Sequence, residues 1–312
     1  KAVEDIFDGA TITISGYGGV GLPMDLVNAI IEKKVKDLTV ITVAFGIANI
    51  LIQNGCVRKV ITTMPRMKFG RSNMTNVPLA KNLLKDQNIE VELVNQVTIV
   101  ERLRASASGI GAFYTPVGVG TELAEGKETK LINGVPHVLE YAIRPDFAIC
   151  RVNTADLLGN VKYEQMFKNV NHEFISAGKV SIVQADQITE PGTFDPDTTG
   201  CFVNRLLKTK NKHTVFRTPN LLNQDAGCDS IGKRIAADIP SNSLIELGIG
   251  IPWYVANYID HSKDIIIHTE GVYGVKSVIP DGEPDTLLRG PTSETLSLIP
   301  GGHTMTLATV LK

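Results

Sequence analysis

Cysteine is scarce in this 312-residue sequence: Cys56, Cys150, Cys201 and Cys228 stand far apart and form no CxxC pair. That spacing supplies neither a disulfide framework nor a zinc-ligand set, and it fits a reducing compartment. The six histidines are scattered as well, so no metal site is expected. Long apolar runs are missing. The longest, Leu38 to Ile52, is interrupted by Thr39, Thr42, Gly46 and Asn49 and falls short of the ~20 residues of a membrane span. An excess of one charge is missing too, since 31 Lys and Arg oppose 33 Asp and Glu for a formal net charge of −2. A basic nucleic-acid binder and a charge-rich disordered chain are thereby disfavoured. No nucleic-acid partner and no membrane partner are expected. The first residue is Lys rather than Met, so a natural start is not expected there, and no stretch reads as a targeting segment.

What is present is an ordinary globular balance, with 43% apolar and 21% charged residues. At ~100–200 residues per domain, the length predicts two domains or one large one. In the first 110 residues, β-branched runs alternate with amphipathic stretches. Strands are expected at Ala10–Ser15, Leu38–Val43, Val57–Thr63 and Ile89–Leu93, and helices at Pro23–Lys34, up to Gly55, and at Thr98–Ser106. Continuous apolar strands separated by helices indicate a parallel sheet covered on both faces. From Gly109 to Lys210 strands dominate, with Asn133-Gly134 marking a hairpin and further strands at Asp146–Val152, Val161–Tyr163 and Lys179–Ala185. Thr209 to Gly227 is polar and aperiodic and reads as a linker. Beyond it, βα alternation returns: helix Asp229–Asp238, strand Ser243–Leu247, helix Pro252–Ile259 and strand Asp264–His268.

Two glycine loops repeat. Gly16-Tyr17-Gly18-Gly19-Val20-Gly21 leads into Leu22-Pro23, and Gly248-Ile249-Gly250 leads into Ile251-Pro252. Each follows a predicted strand and opens a helix with Pro in its first turn, where a missing N–H costs nothing. Each is then followed by a strand beginning with Asp, Asp37 or Asp264. The fold class expected is α/β, with two related open parallel-sheet halves. The repeats differ at one position: Val43 follows Thr42, whereas Glu270 follows Thr269. Ligands of open parallel sheets sit beyond the carboxyl ends of the strands. A single carboxylate there, beside Gly271, is a candidate nucleophile or base, against the alternative of a solvated loop charge. The first loop also matches Gly16-x-Gly18-x-x-Gly21 of a dinucleotide fold. That fingerprint needs an acidic residue at the end of the second strand, and Val43-Ala44-Phe45-Gly46 offers none. An NAD-dependent oxidoreductase is therefore a distant alternative.

These residues resemble the class I coenzyme A transferases, and within them the 3-oxoacid type. Asp8-Gly9 with Ile12-Thr13-Ile14-Ser15-Gly16-Tyr17 to Gly21-Leu22-Pro23 is similar to the family's α-subunit signature, with Ser15 where glycine and Tyr17 where phenylalanine are usual. Ile267-His268-Thr269-Glu270-Gly271-Val272-Tyr273-Gly274 resembles the β-subunit signature, without the Asn that normally follows the glutamate. The longest match is Ala112-Phe113-Tyr114-Thr115-Pro116-Val117-Gly118-Val119-Gly120-Thr121 and its continuation through Leu139-Glu140-Tyr141 to Ala148. The resemblance implies an α-type domain over 1–208, the linker over 209–227, and a shortened β-type domain over 228–312, so that the second half is incomplete. It further implies transfer of CoA from an acyl-CoA to a short carboxylic or 3-oxo acid. Glu270 would be the covalent nucleophile and Gln96 an oxyanion donor, while Gly248, Ile249, Gly250 and Gly271 would line the CoA site. No permanently bound cofactor is implied; coenzyme A is substrate and covalent intermediate. A homodimer in the cytoplasm or the mitochondrial matrix is expected by the same route. A non-catalytic relative with an assembly role is the alternative.

Overall fold

A computed structural model of the chain describes residues 1–17, 20–43, 45–63, 88–210, 226–248, 250–277, 285, 287–288, 290 and 296–306. Strands β1 (Thr11–Ile14), β2 (Leu38–Ile41), β3 (Val57–Thr62) and β4 (Glu90–Leu93) come first, followed by β5 (Ala112–Thr115), β6 (Thr129–Ile132) and β7 (Val135–Tyr141). Then come β8 (Phe147–Asp156), β9 (Val161–Lys162), β10 (Val180–Thr189) and β11 (Arg205–Lys208). The main sheet runs β11-β10-β8-β1-β2-β3-β4, with every neighbouring pair along this path parallel; β9 pairs antiparallel with β8 at its side.

Parallel strands need crossovers, and the apolar periodicity supplies them on both faces. Val40, Ile149 and Ile182 point to one side and pack with Leu26, Val27 and Ile30 of helix Met24–Lys33 and with Ile47 and Leu51 of helix Phe45–Gln53. Their neighbours Ile41, Cys150 and Val183 point to the other side, against Ile99, Val100 and Leu103 of helix Gln96–Ala107 and Phe174 and Ile175 of helix Asn171–Ala177. Successive residues facing opposite ways is the two-residue period of a strand. It explains why these runs are apolar throughout rather than alternating.

Two expectations extend rather than fail. β8 and β10 run past the predicted ends at Val152 and Ala185, pairing as far as Thr189↔Asp156. Their polar tails look like loop by composition, but adjacency in the sheet satisfies the backbone there. Asn133 and Gly134, at φ 50° and 78°, turn β6 into β7, the two positive φ values a tight two-residue hairpin demands. The β5-β7-β6 sheet stands apart from the main one.

The remaining strands are β12 (Leu244–Glu246), β13 (Ile266–Thr269), β14 (Val272–Ser277) and β15 (Ser297–Thr304), ordered β12-β13-β14-β15. Here the expected parallel sheet is confined to β12 and β13; β13-β14 and β14-β15 are antiparallel. The reason is local. β13 and β14 are joined by Glu270 and Gly271 alone, and a two-residue connection joins only antiparallel strands. The predicted helix Pro252–Ile259 is instead a 3₁₀ segment, Ile251–Tyr258, with Trp253, Tyr254, Val255 and Ala256 all buried. Four consecutive buried side chains leave no polar face for an amphipathic α-helix. Helix Ala226–Asp238 packs against it, and Gly232 permits the approach: a Cβ there would lie 2.9 Å from the Tyr254 carbonyl carbon. Of the predicted linker, 211–225 lie outside the described residues. Thr209 belongs to the main body, its N–H donating to the Ala185 carbonyl, and Gly227 is already helical. Trp253, Val255, Ile267 and Val272 join the same apolar cluster as Ile41 and Phe174, so the core continues from the first sheet into the second.

Candidate active site

The main sheet reverses direction of growth between β1 and β8: from β1 the chain builds outward through β2 to β4, and from β8 outward through β10 to β11. The carboxyl end of β1 is thus a topological switch point, the usual crevice for ligands in open α/β sheets. The loop that leaves it is tightly tied. Tyr17 and Val20 exchange two backbone hydrogen bonds of 2.9 Å. Below them the buried Ser15 hydroxyl donates to the Gly21 carbonyl and accepts from the Arg151 N–H, both at 3.3 Å. Gly16 sits at φ 124°, a backbone conformation that side-chain-bearing residues rarely adopt, and a Cβ there would also press on the Leu22 side chain. Gly18 and Gly19 lie outside the described residues.

Tyr17 projects from this loop to the β13–β14 turn, where its hydroxyl donates to Glu270 Oε2 at 2.5 Å. The turn is held from both sides. Thr269 Oγ1 donates to the Leu247 carbonyl and the Met305 N–H to the Gly271 carbonyl, each at 2.8 Å. Gly271 adopts φ 90°, with the Met305 carbonyl oxygen 3.1 Å from where a Cβ would stand. Positive φ at the second turn residue needs glycine. The missing Asn of the signature is thereby accommodated: Glu270 is the first of two residues in a tight turn.

The third member is Gln96, the first residue of helix Gln96–Ala107. Asn95 caps that helix by accepting from the Val97 N–H at 3.0 Å, satisfying one of the orphan donors of the first turn. The Gln96 side chain lies beside the Tyr17 hydroxyl, close enough for its amide to favour the ionised phenol. Gln96, Tyr17 and Glu270 thus gather from the ends of β4, β1 and β13.

Burial pushes the Glu270 carboxyl above its ordinary range, Glu246 adds to the shift, and the Tyr17 bond opposes it. Burial and the Glu270 charge together raise the Tyr17 phenol, with the Gln96 bond opposing, so the hydroxyl stays protonated. Desolvation disfavours each charged form, and a hydrogen bond to the charged form favours it.

Of the residues singled out in the sequence, Glu270 and Gln96 therefore meet through Tyr17, with Gly271 adjoining. Gly248 and Gly250 lie past the carboxyl end of β12, exposed, with Gly250 at φ 95°. The Leu247 N–H donates to the His268 carbonyl, which holds this loop beside the end of β13. Ile249 lies outside the described residues. Sequence reasoning missed Tyr17 as a site residue. The available signal was a hydroxyl in place of the usual phenylalanine, in a glycine loop at a strand's carboxyl end. A cavity of about 370 Å³, lined by Tyr163, Lys168, His172, Asp197, Met305 and Thr306, borders the strand end that holds the Glu270 turn. Among the described residues, no group of His, Cys, Asp and Glu side chains is placed to hold a metal ion.

The profile of the Coenzyme A transferase family matches residues 1–204. The mitochondrial succinyl-CoA:3-ketoacid coenzyme A transferase 2A of Rattus norvegicus is 31% identical over 97% of this chain and 63% of its own length. One of the 3-oxoadipate CoA-transferase subunits of Pseudomonas putida is 38% identical over 66% of this chain and 90% of its own. Among solved structures, an acyl-CoA transferase from E. coli O157:H7 superposes over 99% of this chain and 64% of its own, with a TM-score of 0.74 and 16% identity; that likeness is one of fold. The chain spans 63% of the length of the rat relative. With most of its length matched by the family profile and nearly all of it by relatives at 30–31% identity, the chain belongs to the coenzyme A transferase family.

Proposed function

We propose that this protein transfers coenzyme A from an acyl-CoA, such as succinyl-CoA, to a short 3-oxo or carboxylic acid, with Glu270 as the covalent nucleophile. The observation that carries this reading is a half-buried carboxylate in a two-residue turn, met from the opposite sheet by the Tyr17 hydroxyl, with the Gln96 side chain beside that hydroxyl. The names of the relatives supply the substrate class.

The chemistry follows from the groups present. An ionised Glu270 oxygen adds to the thioester carbonyl carbon; the new C–O bond forms, the C–S bond breaks, and the electron pair leaves with the CoA sulfur as thiolate. The thiolate then adds to Glu270 Cδ in the mixed anhydride and expels the first acid as its carboxylate, leaving a glutamyl-CoA thioester. An acceptor acid runs the two steps in reverse, so the kinetics are ping-pong. Gln96 has two amide hydrogens. One of them is the donor for the thioester oxyanion, an interaction typically worth about 3–4 kcal/mol in the transition state. The exposed glycines at 248 and 250 leave backbone open to the CoA thiol arm. Binding energy from its remote nucleotide end can be used to bring the reacting atoms together.

Incubation with succinyl-CoA or acetoacetyl-CoA, followed by mass spectrometry of the peptide containing Glu270, tests this. A CoA-sized adduct is expected on that peptide and none in Glu270→Gln. A wild-type peptide that stays unmodified by both donors refutes the assignment and favours a non-catalytic member of the family.

A further inference from the structure

The Tyr17 hydroxyl raises a question the transfer scheme leaves open. A hydrogen bond to a resting carboxylate stabilises the nucleophile and so slows its attack, yet Tyr17 is aimed at Glu270 Oε2 at 2.5 Å. Its loop is closed by the paired Tyr17–Val20 bonds and the buried Ser15 bridge. A donor fixed this firmly acts on whatever charge Oε2 carries at each stage.

The stage that needs it is the second one. When the CoA thiolate adds to Glu270 Cδ, a C–S bond forms and the Cδ–Oε2 π pair moves onto Oε2. The tetrahedral carbon then carries a full negative charge on that oxygen. Collapse returns the pair and breaks the bond from Cδ to the oxygen of the departing acid. In the mixed anhydride before this step, Oε2 is a neutral carbonyl oxygen. The Tyr17 bond therefore strengthens from anhydride to tetrahedral intermediate, the condition for a group to accelerate a step. We infer that Tyr17 is the oxyanion donor for Glu270's own acyl carbon, serving formation and discharge of the glutamyl-CoA thioester. This rests on the covalent role of Glu270 proposed above.

The phenol keeps its proton, because burial opposes its ionisation at every stage and the Glu270 charge adds to this in the resting enzyme. The sequence difference has a consequence here. A phenylalanine at this position has the ring and the packing but no donor, so Tyr17→Phe isolates the hydroxyl. Two readouts separate an electrostatic role from a structural one. The first is the species seen by rapid-quench intact-mass spectrometry with succinyl-CoA. Wild type should go directly to the CoA adduct. Tyr17→Phe should form that adduct roughly 100-fold more slowly and accumulate a species carrying the succinyl mass. The second is the pH profile of kcat/KM. The Tyr17 bond lowers the Glu270 carboxyl against the upward push of burial; removing it raises that carboxyl further, so the acid limb should move to higher pH.

Incorporating 3-fluorotyrosine at position 17 keeps the bond and makes the hydroxyl more acidic. The adduct rate should then return to within a few-fold of wild type, and thermal melts of all three proteins report whether the fold is intact. Equal adduct rates and an unmoved acid limb in Tyr17→Phe would overturn the assignment of Tyr17 while leaving Glu270 as nucleophile. A slow Tyr17→Phe that the fluorinated tyrosine does not restore overturns it as well, in favour of packing. No adduct in the wild type removes the covalent scheme itself, and this inference with it.

Discussion

Asp186→Ala should be among the most destabilising single changes in the main sheet. Arg151, on β8, sends Nε and Nη2 to the two Asp186 oxygens at 2.8 Å each. Thr209 Oγ1 adds a third bond to the same carboxylate at 2.8 Å, and the Arg151 guanidinium lies over the Phe167 ring at 5.9 Å. The side chains are only 10% and 16% exposed, so water replaces little of what is lost. Removing one partner of such a pair strands a buried charge, at a cost of ~3–5 kcal/mol. That is at least about a fifth of the roughly 5–15 kcal/mol by which native proteins are stable. Replacing both partners with apolar residues, Arg151→Met with Asp186→Leu, removes the stranded charge. It should recover most of the loss, short of about 1 kcal/mol for the Thr209 hydroxyl that no longer has its acceptor. Urea unfolding followed by the fluorescence of Trp253, the sole tryptophan and fully buried, and in parallel by circular dichroism, measures both. A cost below about 1 kcal/mol for Asp186→Ala would place the pair with exposed ion pairs and refute the reasoning. So would a double variant no more stable than the single one.

Two smaller changes probe the supports of the site. Ser15→Ala removes the bridge between the Arg151 N–H and the Gly21 carbonyl; it should cost about 1–2 kcal/mol and speed hydrogen exchange of the Val20 amide, which bonds Tyr17 across the loop. Unchanged exchange there would show that the loop is held by other means. Asn95→Ala removes the cap one residue before Gln96 and should cost about 1 kcal/mol in stability with a fall in the CoA-adduct rate, whereas Asn95→Asp, which keeps an accepting oxygen, should retain both; equal losses in the two variants would dissociate the cap from Gln96.

Much of the architecture was legible because it is local. The runs at Thr11–Ile14 and Leu38–Ile41, the turn residues Asn133-Gly134, and the glycines before Pro23 and Pro252 each state a backbone preference that needs no distant partner. The carboxylate at 270 was legible for a related reason: comparing the two βα repeats showed one polar residue where its counterpart is apolar. The sheet direction after β13 is not legible in the sequence, because the alternation of strand and helix carries no information about the sense of pairing. The two-residue connection at Glu270-Gly271 decides it. The segment Ile251–Tyr258 reads as a helix but winds as 3₁₀, since four consecutive buried side chains leave it no polar face and helix Ala226–Asp238 packs on it at Gly232.

The sequence by itself thus determined the α/β class, the glycine loops and the family, all properties of short contiguous segments. Only the tertiary structure decided what Tyr17 does. Between it and Glu270 lie more than 250 positions of chain, and between it and Gln96 nearly 80. No local propensity encodes a hydrogen bond across such distances. It exists because the carboxyl ends of β1, β4 and β13 are brought to one place by sheets that share a single apolar core, and the chemistry of the site follows from that convergence.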